Sequence, residues 1–155
     1  MAMAIFSIIS VATVGMVFSS FSLRDQTLAT TRTIEALRVF NRSLRQAALM
    51  ARTVSGGGSF IFLSSGNQCW SFVFDSVSQN IRYSDIVSPG CIVDPNPSNN
   101  FFQGTTKIKS FSFVLLPIAA GGYTIEASGV IQTVLPFASY EKAFSGTFTN
   151  VIDPS

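Results

Sequence analysis

The feature that most constrains this chain is a helical pattern that continues without proline from the first residue to three glycines at residues 56–58. Residues 1–23 carry no ionisable side chain and would form a helix about 35 Å long, while a bilayer core is about 30 Å thick. Serines and threonines lie among the aliphatic residues of this stretch, and such small side chains allow helices to pack closely. We therefore predict that residues 1–23 lie in a membrane or against other helices.

Two ordinary explanations of such a stretch are a cleaved secretory signal and a single-pass anchor. A cleaved signal has a basic segment before its apolar run and a small-residue cleavage site after it, and this sequence shows neither. A plain single-pass anchor fits the apolar run, but the pattern that follows indicates a longer helix.

Residues 24–54 form the second, amphipathic half of the predicted helix. Apolar residues recur there at spacings of three, four and seven, which places on one stripe Ile34, Leu37, Leu44 and Ala48. Arginines occupy the other faces. The two halves make one rod of about 50 residues and roughly 75 Å. Gly15 is the position within it where the helix bends or melts most easily.

After the glycines the apolar pattern has period two, which is typical of β-strands. We predict strands at residues 60–63, 69–74, 80–83, 107–116, 123–134 and 140–152. The first is expected to be buried on both faces, and the second and third to form a hairpin. Residues 85–105 are predicted to be a proline-rich loop and residues 55–59 a linker. The predicted fold class is α+β, with a long helix packed on a small antiparallel sheet formed by residues 55–155.

The chain has two cysteines, Cys69 and Cys91. They are either two buried free thiols or one disulfide that ties the proline-rich loop to a strand. An oxidising compartment favours the disulfide. The spacing alone leaves both interpretations open.

No catalytic, cofactor-binding or metal site is predicted, and we expect a protein that is not an enzyme. The chain has no histidine, which excludes a Ser–His pair and the common zinc ligand sets that contain histidine. The carboxylates beyond the helix are scattered and are interpreted as solvated surface charge. The arginines lie along a helix without interleaved aromatic residues, so no nucleic-acid-binding surface is evident.

Two stretches resemble type IV pilins and the pseudopilins of type II secretion, most closely their minor subunits. AMAIFSIISVATVGMVFSSFS at residues 2–22 is similar to the part of the pilin signature that follows the leader and its acidic residue. NQCWSFVFDSVSQNIRYSD at residues 67–85 is similar to the strand–turn–strand of many minor pilins. Of the two stretches, the first is the distinctive one.

The resemblance implies a structural subunit that spans the inner membrane once, with residues 1–23 in the membrane and residues 55–155 outside the cytoplasm. After prepilin processing and N-terminal methylation it would pack with other pilin or pseudopilin subunits into a cell-surface or periplasmic filament. The side chains expected to pack in the filament are Ile5, Phe6, Ile8, Ile9, Val14, Gly15 and Phe18. No cofactor is implied, and a role in DNA uptake is left open.

The family's signature begins with a basic leader, a glycine before the cleavage point and a glutamate shortly after it. None of these is present here, so we expect that Met1 lies inside the signature and that an upstream in-frame extension encodes the rest. A genuine variant without the acidic residue is the alternative. The sequence leaves three functions open: a type IV pilin, major or minor, a type II pseudopilin, and a membrane-tethered binding module that does not polymerise.

Overall fold

The computed structural model describes residues 2–118 and 122–151, with side chains described within residues 10–118 and 122–150. The described residues form one long helix and two antiparallel sheets, so the fold class is α+β. Helix α1 spans Ala2–Met50. The strands are β1 Thr53–Gly57, β2 Phe60–Ser64, β3 Gln68–Asp75, β4 Asn80–Val87, β5 Asn99–Asn100, β6 Thr106–Pro117, β7 Gly122–Leu135 and β8 Ala138–Val151.

Helix α1 has 49 residues and is about 73 Å long. It ends at Met50 rather than at residue 54, because the next residues already pair with the sheet: Arg52 N donates to Ser64 O over 2.8 Å. The side chain of Asn150 in β8 caps the last turn, with Nδ2 2.7 Å from the carbonyl oxygen of Ala48 and 2.5 Å from that of Ala51. The helix end is therefore set by a strand about 100 residues later in the chain.

The three glycines belong to a strand and a bridge, so their interpretation as a linker is wrong. Gly56 and Gly57 lie in β1, which pairs with β2, and Gly58 forms an isolated bridge with Phe113. Gly56 has a φ of +122°, and a Cβ atom there would lie 2.6 Å from the carbonyl oxygen of Phe60. Glycine is needed at this position because of its backbone conformation and a close approach, not because the segment is a flexible connection.

Two sheets are present where one was predicted. The first has the strand order β1-β2-β3-β4-β5 and the second β6-β7-β8. They meet at the Gly58–Phe113 bridge and at Ile108, whose backbone N donates to Gln79 O over 2.8 Å. Because these contacts are single bridges rather than a continuous ladder, the sheets stay separate.

Most strand predictions are confirmed, including the β3–β4 hairpin and the three long strands β6 to β8. Residue 152, the predicted end of the last strand, lies outside the described residues. The expectation that the first predicted strand is buried on both faces is wrong. Ile61 and Leu63 of β2 are fully buried, but Phe60 is exposed and Phe62 is half-buried, because one face of the sheet points away from the core.

The core lies between the second half of α1 and the two sheets. Phe40 of the helix is fully buried at its centre. Its ring centroid lies 5.5–6.2 Å from those of five other rings, Phe72, Phe101, Phe102, Phe111 and Phe144. These rings come from both sheets and from the loop between them, so one helix side chain joins all parts of the domain.

The disulfide interpretation of the two cysteines is confirmed. Cys69 in β3 is bonded to Cys91 in the proline-rich loop. Because the neighbouring Trp70 belongs to the core, Cys69 lies on the opposite face of β3. The loop is therefore tied to the outer face of the first sheet, where Gly90 N also donates to Gly66 O over 3.0 Å.

Candidate assembly surface

Helix α1 divides into two segments with different surroundings. We call residues 10–28 the projecting segment and residues 29–50 the packed segment. Residues 10–24 are all exposed. From residue 29 onward one face is buried against the sheets, by Ala29, Thr33, Leu37, Phe40, Leu44, Ala47 and Ala48. The domain therefore covers only the second half of the helix.

The buried stripe of the packed segment differs from the predicted stripe at Ile34. Leu37, Leu44 and Ala48 lie on it, but Ile34 is 38% exposed, and the fully buried Thr33 takes its place. The Thr33 hydroxyl lies 2.8 Å from the carbonyl oxygen of Ala29 and 2.8 Å from Oγ1 of Thr133. A search for apolar periodicity misses this residue because a threonine is buried only when it finds such partners.

A row of large apolar side chains stands exposed on the projecting segment. Val14 and Phe18, two of the predicted packing residues, are 54% and 57% exposed. A Cβ atom added at Gly15 would meet no other atom within 4 Å. The prediction did not include further exposed residues of this segment, which are Val11, Met16, Val17, Phe21 and Leu23.

The remaining predicted packing residues, Ile5, Phe6, Ile8 and Ile9, have side chains that lie outside the described residues. No helix among the described residues has both the length and the apolar character of a membrane-spanning segment.

The tip of the β7–β8 hairpin contacts the projecting segment from the side. The ring of Phe137 stacks on that of Phe21, with centroids 6.1 Å apart, and meets the edge of Phe18 at 6.3 Å. Its backbone N donates to Oδ2 of Asp25 over 3.2 Å. Sequence analysis missed this contact, since nothing in the local pattern around Phe137 indicates which part of the helix the hairpin reaches.

The exposed side of the helix is basic. At 3.6 residues per turn the helix arginines fall opposite the buried stripe, and all are exposed: Arg24, Arg32, Arg38, Arg42 and Arg45. Within the described part of the chain, ion pairs join Arg82 to Asp75 and Lys109 to Glu141, and none involves a helix arginine. These charges are therefore available to a partner.

A polar cavity of about 450 Å³ lies at the seam between the two sheets. Amide side chains dominate its lining, together with Tyr83 and Lys107. Both polar atoms of Asn80 are used internally, because Nδ2 donates to Phe102 O over 2.6 Å and Oδ1 accepts from Phe102 N over 3.0 Å. Among the described residues no group of three side chains is placed to hold a metal ion.

Comparison with known proteins gives no relative for this chain: no family model matches it, and neither a curated protein nor a solved structure matches it significantly. A functional conclusion therefore depends on the surfaces of the chain itself.

Proposed function

We propose that this chain is a non-catalytic structural subunit of a type IV pilus-like filament, a minor pilin, which the first half of α1 anchors in the inner membrane before assembly. The observation that carries the proposal is the projecting segment, whose apolar side chains are exposed although the hairpin tip contacts Phe18 and Phe21. Apolar surface of this extent is unfavourable in water and requires lipid or other helices around it.

The same surface suits both environments of such a subunit. In a bilayer, acyl chains cover the apolar side chains, and in a filament the helices of neighbouring subunits do so. Transfer of the helix from the bilayer to the filament therefore changes the solvation free energy of its apolar side chains little. Helix packing and charge then decide the direction of the transfer. Small residues such as Gly15, with open space above the backbone, allow a neighbouring helix to approach closely.

The distribution of charge along the chain supports a regular contact between neighbouring subunits. The exposed arginines of α1 carry positive charge, whereas residues 54–155 hold four basic side chains against six acidic ones. A helix of one subunit facing the sheets of the next would gain a salt-sensitive attraction. A head-to-tail contact of this kind generates a filament when its rotation does not close into a ring.

The proposal is tested by placing a charge on the projecting segment and, as a matched control, on the domain. Val14→Asp and Val77→Asp both replace an exposed valine, the first in the helix and the second, 92% exposed, in the β3–β4 turn. A carboxylate at position 14 has to be buried in lipid or between helices, at a cost of about 2.5–3.5 kcal/mol. We expect Val14→Asp to abolish recovery of the subunit in sheared filaments and Val77→Asp to leave it unchanged.

Normal assembly of the Val14→Asp variant would refute the filament proposal. To separate an assembly defect from misfolding, the protease resistance of both variants should be compared, since a folded domain protects its buried core from cleavage.

The pseudopilin alternative places the same subunit in a type II secretion system. The surfaces described above serve a pilus and a periplasmic filament equally well. The neighbouring genes separate the two: a retraction ATPase favours the pilus, and an outer-membrane secretin with genes for exported proteins favours secretion.

A membrane-tethered binding module is the second candidate, and the polar cavity at the sheet seam favours it. The amides of Asn99, Asn100 and Gln103 line this cavity and present both donors and acceptors to a polar ligand. A tethered module stays in the membrane fraction under all conditions, so detection of the native chain in sheared filaments would exclude this candidate.

A further inference from the structure

We infer that the tip of the β7–β8 hairpin, residues 135–138, is a second membrane-contact site that enters the headgroup region of the bilayer beside α1. The inference rests on the proposed membrane anchoring of the first half of α1. The ligand is a lipid surface with anionic headgroups.

Three exposed phenylalanines form the contact. We call Phe18, Phe21 and Phe137 the phenylalanine cluster. Phe137 is 52% exposed although its ring contacts both helix rings, and Phe18 and Phe21 are exposed to a similar degree. The three rings therefore form one cluster in the described structure, yet about half of each residue's surface is exposed to solvent. An arrangement of this kind indicates a contact with something apolar outside the domain.

The position of the cluster along the chain identifies that contact as lipid. The helix rings belong to the uncharged stretch that ends at Leu23, and the first charged residues, Arg24 and Asp25, follow directly. The part of the hairpin nearest the tip is equally uncharged, because no ionisable group with a charge at pH 7 lies between Glu126 and Glu141. The tip is thus the one part of residues 55–118 and 122–150 that contacts the uncharged helix surface through an aromatic ring.

A hydrogen bond fixes the depth of the tip. Phe137 N donates to the carboxylate of Asp25 over 3.2 Å, so the tip backbone is held at the level of the first charged helix turn. The Phe137 ring reaches from there toward Phe18 and Phe21, on the apolar side of that turn. When residues 1–23 lie in lipid, the ring is placed at the boundary between headgroups and acyl chains, where interfacial helices bury Trp, Phe and Leu side chains.

Basic side chains flank the tip and suit anionic headgroups. Arg24 is exposed on the helix beside it. Thr105 O accepts a hydrogen bond from Val134 N over 3.1 Å, which brings the start of β6 next to the tip, and Lys107 is exposed two residues further on. The nearest carboxylate on the hairpin strands, that of Glu141, is paired with Lys109 at 2.5 Å. Positive side chains at the membrane surface are attracted to anionic headgroups, so we assign lipid as the occupant of the tip in the anchored subunit before assembly.

Membrane contact through both the helix and the hairpin tip restricts the orientation of the protein more than contact through the helix alone. A single helix can tilt and rotate in the bilayer, whereas a helix and a hairpin tip together fix the tilt and the height of the sheets above the membrane.

The test uses the full chain in vesicles of phosphatidylcholine and phosphatidylglycerol, with phospholipids brominated near the top of their acyl chains as quenchers of tryptophan emission. The native chain is the blank, because its single tryptophan, Trp70, is buried in the core. Phe137→Trp places an indole at the hairpin tip. Val11→Trp reports insertion of the helix, and Val77→Trp, in an exposed turn of the first sheet, is the control outside the membrane.

We expect brominated lipid to reduce the emission of both the Phe137→Trp and the Val11→Trp variants, and to leave Val77→Trp at the level of the native chain. If Val11→Trp is quenched and Phe137→Trp is not, the inference is wrong and the proposed anchoring stands. If Val11→Trp is not quenched either, the proposed anchoring itself fails. If the Phe137→Trp emission instead shifts to the blue with protein concentration in the absence of lipid, the cluster is a contact between copies and the inference is overturned.

Discussion

The two segments of α1 contain similar apolar side chains and have opposite surroundings. Phe40 in the packed segment is fully buried among five rings, while Phe18, six turns earlier on the same helix, contacts one ring and is mostly exposed. The helix backbone is continuous between them. Whether an apolar residue of this helix is buried or exposed therefore depends on how far the sheets extend along the helix, and not on the helix itself.

The length of β8 sets the boundary between the segments. This strand runs alongside the helix, with the Phe137 turn at its start near Asp25 and Asn150 at its end near Ala51. Its 14 residues cover about 45 Å. The helix between Asp25 and Ala51 covers about 39 Å. The strand is therefore long enough to cover the packed segment, and the turn before it contacts the projecting segment at Asp25.

The largest difference between the two segments is expected when one phenylalanine ring is removed from each. Phe40→Ala leaves a cavity among the five rings of the core, and we expect it to lower the free energy of unfolding by about 3–5 kcal/mol. Phe18→Ala removes a ring that is exposed in the folded domain and should change it by less than about 0.5 kcal/mol. Urea unfolding of the full chain in detergent measures both. Equal effects would show that the projecting segment is also part of the folded core.

A second comparison uses two threonines that share one local hydrogen bond. Thr33 and Thr27 each donate to the carbonyl four residues earlier, but the Thr33 hydroxyl also lies 2.8 Å from Thr133 Oγ1, which in turn lies 2.9 Å from Thr106 Oγ1. Thr33→Val removes a buried partner of Thr133, and we expect a loss of about 1–2 kcal/mol in the same unfolding assay.

Thr27→Val is the matched control, because its hydroxyl is exposed and bonds only within the helix among the described residues. It should change stability by less than about 0.5 kcal/mol. Loss of the same stability in both variants would mean that the contact between helix and hairpin contributes nothing.

The smallest expected effect on stability comes from Asp75, a residue of the first sheet. The Ser78 hydroxyl and the backbone N of Val77 donate to the Asp75 carboxylate, and Arg82 pairs with it, which together lower the pKa of Asp75 from 3.8 to about 2. Because the folded value is lower, the charged form stabilises the fold above pH 3.8, and this contribution disappears as the pH falls to about 2.

Asp75→Asn should therefore lower the melting temperature slightly at pH 7 and not at all near pH 2. Ser78→Ala, which removes the largest cause, should raise the pKa of Asp75 toward 3.8, as carbon NMR of the carboxyl group measures. An Asp75 pKa that does not move in this variant would assign the shift to the turn backbone instead.

Much of the fold could be predicted from local patterns. The change from helical periodicity to period two located the boundary between α1 and the strands within a few residues, and the alternating apolar residues predicted the β3–β4 hairpin. Ile34 and the glycines were misplaced for one reason. Apolarity and glycine content were used as local signals, whereas burial of Thr33 depends on Thr133, 100 residues later, and the close approach at Gly56 depends on the pairing of β1 with β2.

Residue types and the geometry of single elements are enough to predict that a long helix precedes a β-domain, that its first 23 residues carry no charge and that its arginines lie away from the apolar stripe. The tertiary structure decided which half of the helix is covered, where the hairpin tip touches it and that two sheets rather than one pack against it. These features depend on strand register and strand length, which are set by contacts between residues about 100 positions apart, and no local pattern records them.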